Sequence, residues 1–446
     1  MEHDHDIRAA VWQQTDEIRQ LLTEAGWQWR LVGGAVRDLI DGQSPHEYDF
    51  EVVGVPLSDI AARGSAYAAH IVGSDKPIVR LRLHGIPIDI SVTEHADISR
   101  AAAHRDVTIN ALAMLPDGTI VDPYGGIADR KAGLLRHINA DFLVDPIRVL
   151  RLMRLAATYQ LTVAPATAQF VQQALPTLPP FDPDRVWHEW RLWALAPYPA
   201  HGLHVLVATH AITQYPELAT LMGCPQDPTY HPEGDVWVHT EHVCAAAARD
   251  NTDLDVEQRI TLLLAALCHD LGKPATTEQR AERIVSPGHA AAGVAPTEAL
   301  LARLHAPKRY HDAVCNLVRE HMVATNATVT DRSVRRLSQR LAPADIELWE
   351  RLTAADSAGR PPLPAQRPGA EFLARAQALH VHRGRPVALI RGGDVLAQGV
   401  APGPLVRSAL VAAYDAQLEG FFDTHEAGVR WLTTYLATTN TGDTTA

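Results

Sequence analysis

Cysteine is scarce. Four residues in 446, Cys224, Cys244, Cys268 and Cys315, lie scattered along the chain. They form no disulfide framework and fit reduced thiols in a cytosol. Long apolar runs are missing too. The most apolar stretch, Ile260 to Cys268, is interrupted by Thr261 and is far too short to span a bilayer. The opening residues, MEHDHDIRAAVW, are acidic and polar, unlike a secretory leader. No fixed-period repeat is found. Positive charge is in deficit, with a formal net charge of -12. That argues against a general nucleic-acid coat but leaves room for a local basic cleft, because arginines cluster. These absences lead us to expect a cytoplasmic protein with no membrane partner. The length suits about two to four domains. Oligomeric state is not readable.

Residues 8–26 read as a helix ending at Gly26. Residues 30–125 mix strand-like runs (RLVGG, YDFEVV, PIVRLRL, PIDISV) with turns, and from residue 140 the pattern turns helical. Proline-rich breaks fall at 176–184 and 360–369. The expected division is an N-terminal helix within 1–30, an α/β head at 31–137 and a helical neck at 138–230. An all-α domain at 231–360 and a helical tail at 361–446 complete it.

SPHEYDFEVVG places Glu47, Asp49 and Glu51 at alternate positions. A strand over Tyr48 to Val53 sends all three to one face. Neighbouring carboxylates repel unless a cation lies between them, so Glu47 and Asp49 read as a divalent-metal pair. Glu51 reads as a solvated strand residue. In LVGGAVRDLI, Gly33 and Gly34 remove side chains where the backbone can approach a ligand. The helix amides that follow favour phosphate, and Arg37 adds charge-assisted bonds. Phosphate donors beside a carboxylate pair suit Mg²⁺ on a triphosphate. Asp89, polar between Ile88 and Ile90, is the candidate third carboxylate; a plain strand-edge aspartate is the alternative. Arg105 is placed to contact phosphate with Asp106 holding it, or else the two form a surface ion pair of little worth.

In VDPIRVLRLMRLAATY, Asp145 reads as a helix cap ahead of Pro146. Arg148, Arg151 and Arg154 follow at spacing three, opposite Val149, Leu152 and Leu155. Three arginines without interleaved acids suit an anion or a base edge better than a solvated face.

The motifs LVGGAVRD, EYD, HRDVTINALAM, DPYGGIADRKAGLLRHI and VDPIRVLRLMRLAA, in this order, resemble the bacterial class II tRNA nucleotidyltransferase and poly(A) polymerase family over roughly residues 31–195. These are CCA-adding enzymes. The resemblance implies a polymerase-beta-like α/β head followed by an all-α neck. It implies transfer of C and/or A from CTP and ATP, with Mg²⁺, to the 3′ end of tRNA. By it, Gly33, Gly34 and Arg37 bind the nucleotide, and Glu47 and Asp49 hold the places of two metal-binding aspartates. Arg105, Arg151 and Arg154 contact the triphosphate or nucleotide, Asp145 and Arg148 read the base, and Arg185 and Glu189 match a neck motif. Three positions depart from the pattern: Glu47 replaces an Asp, Val144 replaces a Glu, and the stretch Val92 to Ala103 is short.

A second constellation lies downstream. RITLLLAALCHDLGKPATT is an apolar helix ending in His269-Asp270, an imidazole and a carboxylate in one turn. His239 precedes it, and His289, His321 and Asp356 follow. The spacing resembles the HD phosphohydrolase superfamily over about 235–360. By that resemblance His239, His269, Asp270 and Asp356 form a metal core. His289 and His321 extend it toward a second metal bridged by Asp270. Mn²⁺, Ni²⁺ or Mg²⁺ would serve there, and Lys273 would stabilise a phosphate. An alternative reading makes this domain the enzyme and the head a binding module only. In the tail, the turn from Gly399 to Pro404 opens a helix whose amides either meet RNA phosphate or pack on the preceding domain.

Overall fold

The computed structural model describes residues 14–73, 77–326 and 328–440. Of the helix expected over 8–26, residues 8–13 lie outside the described residues; the rest forms α1, Asp16–Glu24. The chain divides into two compact units. The first runs to Arg185 and includes His201–Ala211; the second comprises Val186–Ala200 and the chain from Ile212 onward.

In the first unit the four strand-like runs all form strands. They are β1 (Trp29–Val32), β2 (Tyr48–Val53), β4 (Ile78–Leu83) and β5 (Ile86–Thr93), joined by β3 (His70–Val72), β6 (Ala113–Met114) and β7 (Ile120–Val121). Their order is β3-β4-β5-β2-β1-β6-β7. Within this sheet, among the described residues, β2–β5 is the one parallel pair.

Alternation sorts the side chains onto two faces. Trp29, Leu31, Tyr48, Phe50, Val52, Ile88 and Ile90 build one core with α1, with α2 (Gly34–Ile40) and with α3 (Leu57–Arg63). The opposite face carries the charges. Asp49 is registered against Asp89, Arg30 against Glu51 and Arg80 against Asp89. A short helix, α4 (Ile98–Ala102), follows β5, and α5 (Gly126–Ala132) follows β7. Next comes α6 (Arg148–Tyr159), whose Val149, Leu152, Leu155 and Ala156 are buried as its periodicity requires.

The second unit is almost wholly helical. Its helices include α7 (Val236–Arg249), α8 (Val256–Cys268), α9 (Val294–Arg303), α10 (Lys308–Glu320), α11 (Asp331–Leu341) and α12 (Ile346–Ala358); α7, α10 and α12 pack on α8, α9 packs on α10, and α11 packs on α10 and α12. Every residue from Ile260 to Cys268 is buried, so α8 is the central helix of this unit, as its unbroken apolar sequence demands. Farther on, α13 (Pro404–Glu419) and α14 (His425–Asn440) form a small core around Ala409, Ala413, Phe422 and Leu432. The C-terminal turn of α13 is tied to α11 by ion pairs of Arg336 with Asp415 and Glu419 at 2.7 Å. Among the described residues no helix is long and apolar enough to cross a membrane.

Candidate functional site

In the first unit, β1 turns into α2 at Gly33, with φ +72° and ψ −139°, a region for which glycine is suited. A Cβ there would stand 3.0 Å from Arg105 Nη1 and 3.3 Å from Asp49 Oδ2. Glycine thus lets an arginine and a carboxylate close over the turn. Around it lies a cavity of about 380 Å³ that gathers Gly33, Gly34, Arg37, Glu47, Asp49, Arg105, Arg148, Arg151 and Arg154. A chain of net negative charge therefore concentrates five arginines on one pocket. Asp89 and Asp145 are not among its walls. Asp89 sits beside Asp49 on the adjacent strand and forms a fork with Arg80 at 2.7 and 2.8 Å.

Burial pushes the Asp49 carboxyl up to about 6; the Glu47 charge adds to this, Asp89 adds less, and Arg105 opposes it. Carboxylates so placed make an ionised Asp49 costly until a cation joins them. The donor set therefore fits a divalent cation. Oxygen-only ligands suit a hard one.

The arginines are held in different ways. Arg37 Nη1 donates to Asn110 Oδ1 at 2.6 Å, its Nη2 donates to Asp38 Oδ1 at 2.8 Å, and its guanidinium stacks 3.9 Å from the Tyr159 ring centre. Arg148 is buried and spends its donors on the carbonyls of His104 at 2.7 Å and Asp141 at 3.2 Å. It braces the Arg105 loop from behind. Asp106 accepts from Arg151 Nη1 at 3.3 Å, from Asn110 and from the Val107 amide.

Three local expectations are corrected. Glu51 is buried, 7% exposed, because it pairs with Arg30 across the β1–β2 ladder. Asp106 holds Arg151, which comes from α6, and not its neighbour Arg105. The Asp145 side chain does not cap α6; it makes a fork with Arg185 at 2.7 and 2.9 Å, and α6 begins only at Arg148. Asn110 and Tyr159 were missed. The Tyr159 ring lies at the end of the arginine stripe, one turn past Leu155, and that spacing was the available signal.

In the second unit the predicted histidines and aspartates converge. His239 comes from α7, His269-Asp270 from the end of α8, His321 from just past α10 and Asp356 from α12; His289 opens a short helical turn. Each ring is oriented by its Nδ1. That atom donates to the carbonyl of Ala266 for His269 at 2.8 Å, of Ser286 for His289 at 2.8 Å, and of Val318 for His321 at 2.7 Å. His239 Nδ1 lies 2.8 Å from Glu233 Oε1 and 3.2 Å from the Gly359 carbonyl. With the protons on Nδ1, the four Nε2 lone pairs face inward. Three meet carboxylates: His239 Nε2 is 3.1 Å from Asp356, and His269 and His289 Nε2 are 3.2 and 3.4 Å from Asp270; His321 Nε2 lies 3.1 Å from His289 Nε2.

His269 Nε2 is buried with no hydrogen-bond partner among the described residues. A lone pair aimed at carboxylate oxygens is unfavourable unless a cation lies between them, so the residues fit a divalent metal. Among the described residues three sets of donors are close enough for one ion each: His231/Glu233/His239, His239/His269/Asp270 and Asp270/His289/His321, and Asp270 is common to the last two. Asp356 touches His239, but its Oδ1 also accepts from Arg360 at 2.7 Å. Asp270 is held well below the usual carboxylate range: burial opposes this, and positive charge, from a protonated His269 ring first and then from Lys273, outweighs it; a metal ion between ring and carboxylate would supply the same positive charge. Lys273 is itself buried between Asp270 Oδ2 at 2.7 Å and Gln226 Oε1 at 2.6 Å. Glu233, Gln226 and Arg360 were missed. The first two lie in the segment CPQDPTYHPEGD, which reads only as a loop.

Sheet-borne carboxylates facing an arginine-lined pocket, and a histidine–aspartate centre on a helical bundle, define a nucleotidyltransferase head linked to an HD-type domain. Residues 82–136 match the poly A polymerase head domain, and residues 236–376 match the HD domain. The multifunctional CCA protein of Nitrosococcus oceani is 33% identical over 74% of this chain and 84% of its own length. That of Xanthomonas campestris pv. campestris is 34% identical over 86% of this chain and 96% of its own. Among solved structures, the Bacillus stearothermophilus CCA-adding enzyme in complex with CTP superposes with TM-score 0.67 at 19% identity, covering 97% of this chain and 99% of that one. The Thermotoga maritima enzyme complexed with tRNA gives TM-score 0.57 at 16% identity, over 94% and 93%. The chain belongs to the family of multifunctional CCA proteins.

Proposed function

We propose that the protein transfers C and/or A from CTP and ATP to the 3′ end of tRNA, and that its second unit carries a linked phosphohydrolase or phosphodiesterase. The observation that carries the reading is the single pocket joining Glu47 and Asp49 to five arginines. The terminal 3′-hydroxyl of the tRNA attacks the α-phosphorus. A new P–O bond forms, the α–β bridge breaks, and pyrophosphate leaves. Glu47 and Asp49 hold Mg²⁺, with Asp89 supporting Asp49 from the next strand. When bound, Mg²⁺ supplies neutralisation of the triphosphate and a lower pKa for the hydroxyl. Arg37 and Arg105 bind phosphate oxygens, and Arg151 and Arg154 neutralise the charge that builds on the leaving group. Asp145 and Arg148 take the base-reading places, and reading requires them to exchange their present partners, Arg185 and the His104 and Asp141 carbonyls, for the base edge. Positioning does most of the work in such a transfer.

In the second unit His239, His269, Asp270, His289, His321 and Asp356 hold one or two ions such as Mn²⁺, Ni²⁺ or Mg²⁺. These supply Lewis acidity toward water and a phosphate ester. On this reading the head spans 31–137, the neck 138–230, the HD domain 231–360 and the tail 361–446, and the protein works in the cytoplasm.

Asp49→Ala is expected to abolish incorporation of labelled CMP and AMP into tRNA lacking its CCA end. Retained incorporation overturns the assignment. His269→Ala is expected to spare incorporation and abolish metal-dependent phosphoester hydrolysis.

A further inference from the structure

Glu51 and Arg30 play no part in the transfer just described, yet they are buried in the sheet that bears it, 7% and 2% exposed. They face one another across the β1–β2 ladder. Arg30 Nε donates to Glu51 Oε2 at 2.6 Å. Its Nη1 and Nη2 donate to the carbonyls of Ala96 at 3.2 Å and His95 at 3.0 Å. Those carbonyls belong to the short link between β5 and α4. The other Glu51 oxygen, Oε1, lies 3.5 Å from Arg105 Nη2. Arg105 is the pocket arginine whose Nη1 stands over Gly33, where Asp49 Oδ2 also points. One guanidinium therefore touches Glu51 and shares the space over Gly33 with Asp49.

A buried ion pair is a poor choice if its only task is to join two strands. An apolar cross-strand pair does that without the desolvation cost. We propose that Glu51 is a positioning residue of the nucleotide pocket: it holds Arg105 beside Asp49 and off it, while Arg30 fixes Glu51 and the β5–α4 link as one piece. The logic is competition. An arginine drawn toward Glu51 by one Nη2 leaves Asp49 open to the cation and keeps the rest of the guanidinium toward phosphate. Without the Glu51 charge, Arg105 closes onto Asp49, and the cation must displace it. The inference rests on the transfer reading.

The test is steady-state CMP incorporation into CCA-less tRNA by the full chain, with CTP and Mg²⁺ varied independently. Glu51→Gln is expected to raise both the Mg²⁺ concentration for half-maximal rate and the KM for CTP by about tenfold, the scale of one charge-assisted bond. Saturating both should restore most of kcat. Gln at 51 leaves Arg30 without a counter-charge, so Arg30→Met/Glu51→Leu serves as the second variant. It removes both charges and should show the same two shifts with a melting temperature nearer the wild type. Adding Arg105→Gln to Glu51→Gln should return the Mg²⁺ requirement toward wild type while KM for CTP stays high. A merely structural role would not produce that split. Unchanged Mg²⁺ and CTP dependence in Arg30→Met/Glu51→Leu overturns the proposal. A wild-type protein that incorporates nothing overturns the transfer reading and the proposal with it.

Discussion

Gly33→Ala tests the pocket at its tightest point. The backbone there, at φ +72° and ψ −139°, is one that L-residues rarely adopt, and holding alanine in it costs about 1–3 kcal/mol. The new methyl would also stand 3.0 Å from Arg105 Nη1 and 3.3 Å from Asp49 Oδ2. Arg105 is the flexible partner and yields first, by leaving its place between Asp49 and Glu51. Asp49 sits on a laddered strand and yields less. Denaturant unfolding should therefore show a loss of about 1–3 kcal/mol. Transfer should suffer more, because small displacements of reacting groups cost on the order of a hundredfold in rate. The control is Gly133→Ala. Gly133 has φ +70° with nothing within 4 Å of an added Cβ. That variant should lose about 1–2 kcal/mol from the left-handed backbone alone and transfer normally. If Gly33→Ala loses stability as Gly133→Ala does but still transfers at the wild-type rate, the close approach of Arg105 and Asp49 over this turn is irrelevant to the chemistry.

Glu233→Gln keeps an acceptor for His239 Nδ1 but removes its charge, and should weaken metal binding to the second unit by about 10–100-fold in calorimetry; unchanged affinity would leave Gly359 as the sufficient partner. The Asp106 carboxyl is held below its ordinary range: burial opposes this, and Arg151, Asn110 and the Val107 amide outweigh it. A depressed carboxylate contributes stability that is present above its unfolded pKa, near pH 4, and is lost as pH falls through the folded value. Asp106→Asn should thus lower stability at neutral pH and flatten its decline below about pH 4 in acid titrations of unfolding. Arg185→Ala frees the Asp145 carboxylate from its fork and should change the CTP-to-ATP preference by about tenfold, the scale of one charge-assisted bond, in single-nucleotide extension assays; an unchanged ratio would separate Arg185 from base choice.

Much of this was legible in the sequence because it depends on local order. YDFEVV and PIDISV alternate, so their strands and faces could be read directly, and α8 announced itself by an unbroken apolar run. The His269-Asp270 pair was legible because adjacency at a helix end fixes what lies in one turn, whereas His239, His289, His321 and Asp356 were found through the resemblance to the HD superfamily. What stayed hidden depends on register. Nothing near Glu51 in the chain indicates that Arg30, on another strand, stands opposite it, so a buried ion pair passed for a solvated residue. Asp106 found Arg151 across a tertiary contact for the same reason. Asp145 was misjudged because two uses of one carboxylate, capping and pairing with Arg185, are equivalent by composition. Glu233 was invisible because loop residues carry no periodicity from which direction can be inferred.

The parallel ladder of β2 and β5 also bears on how this site can drift over evolutionary time. Asp49 stands inside six consecutive registered pairs. A slip of one residue would turn it to the opposite face, so neither strand tolerates insertion or deletion there. Glu47 precedes β2, exposed and outside the ladder. Its backbone is free to retreat by about a bond length, the extra reach of a glutamate over an aspartate. The longer acid thus sits at the one position of the pair where length can be absorbed, and exchange between Glu and Asp at 47 is a near-neutral path that position 49 does not share.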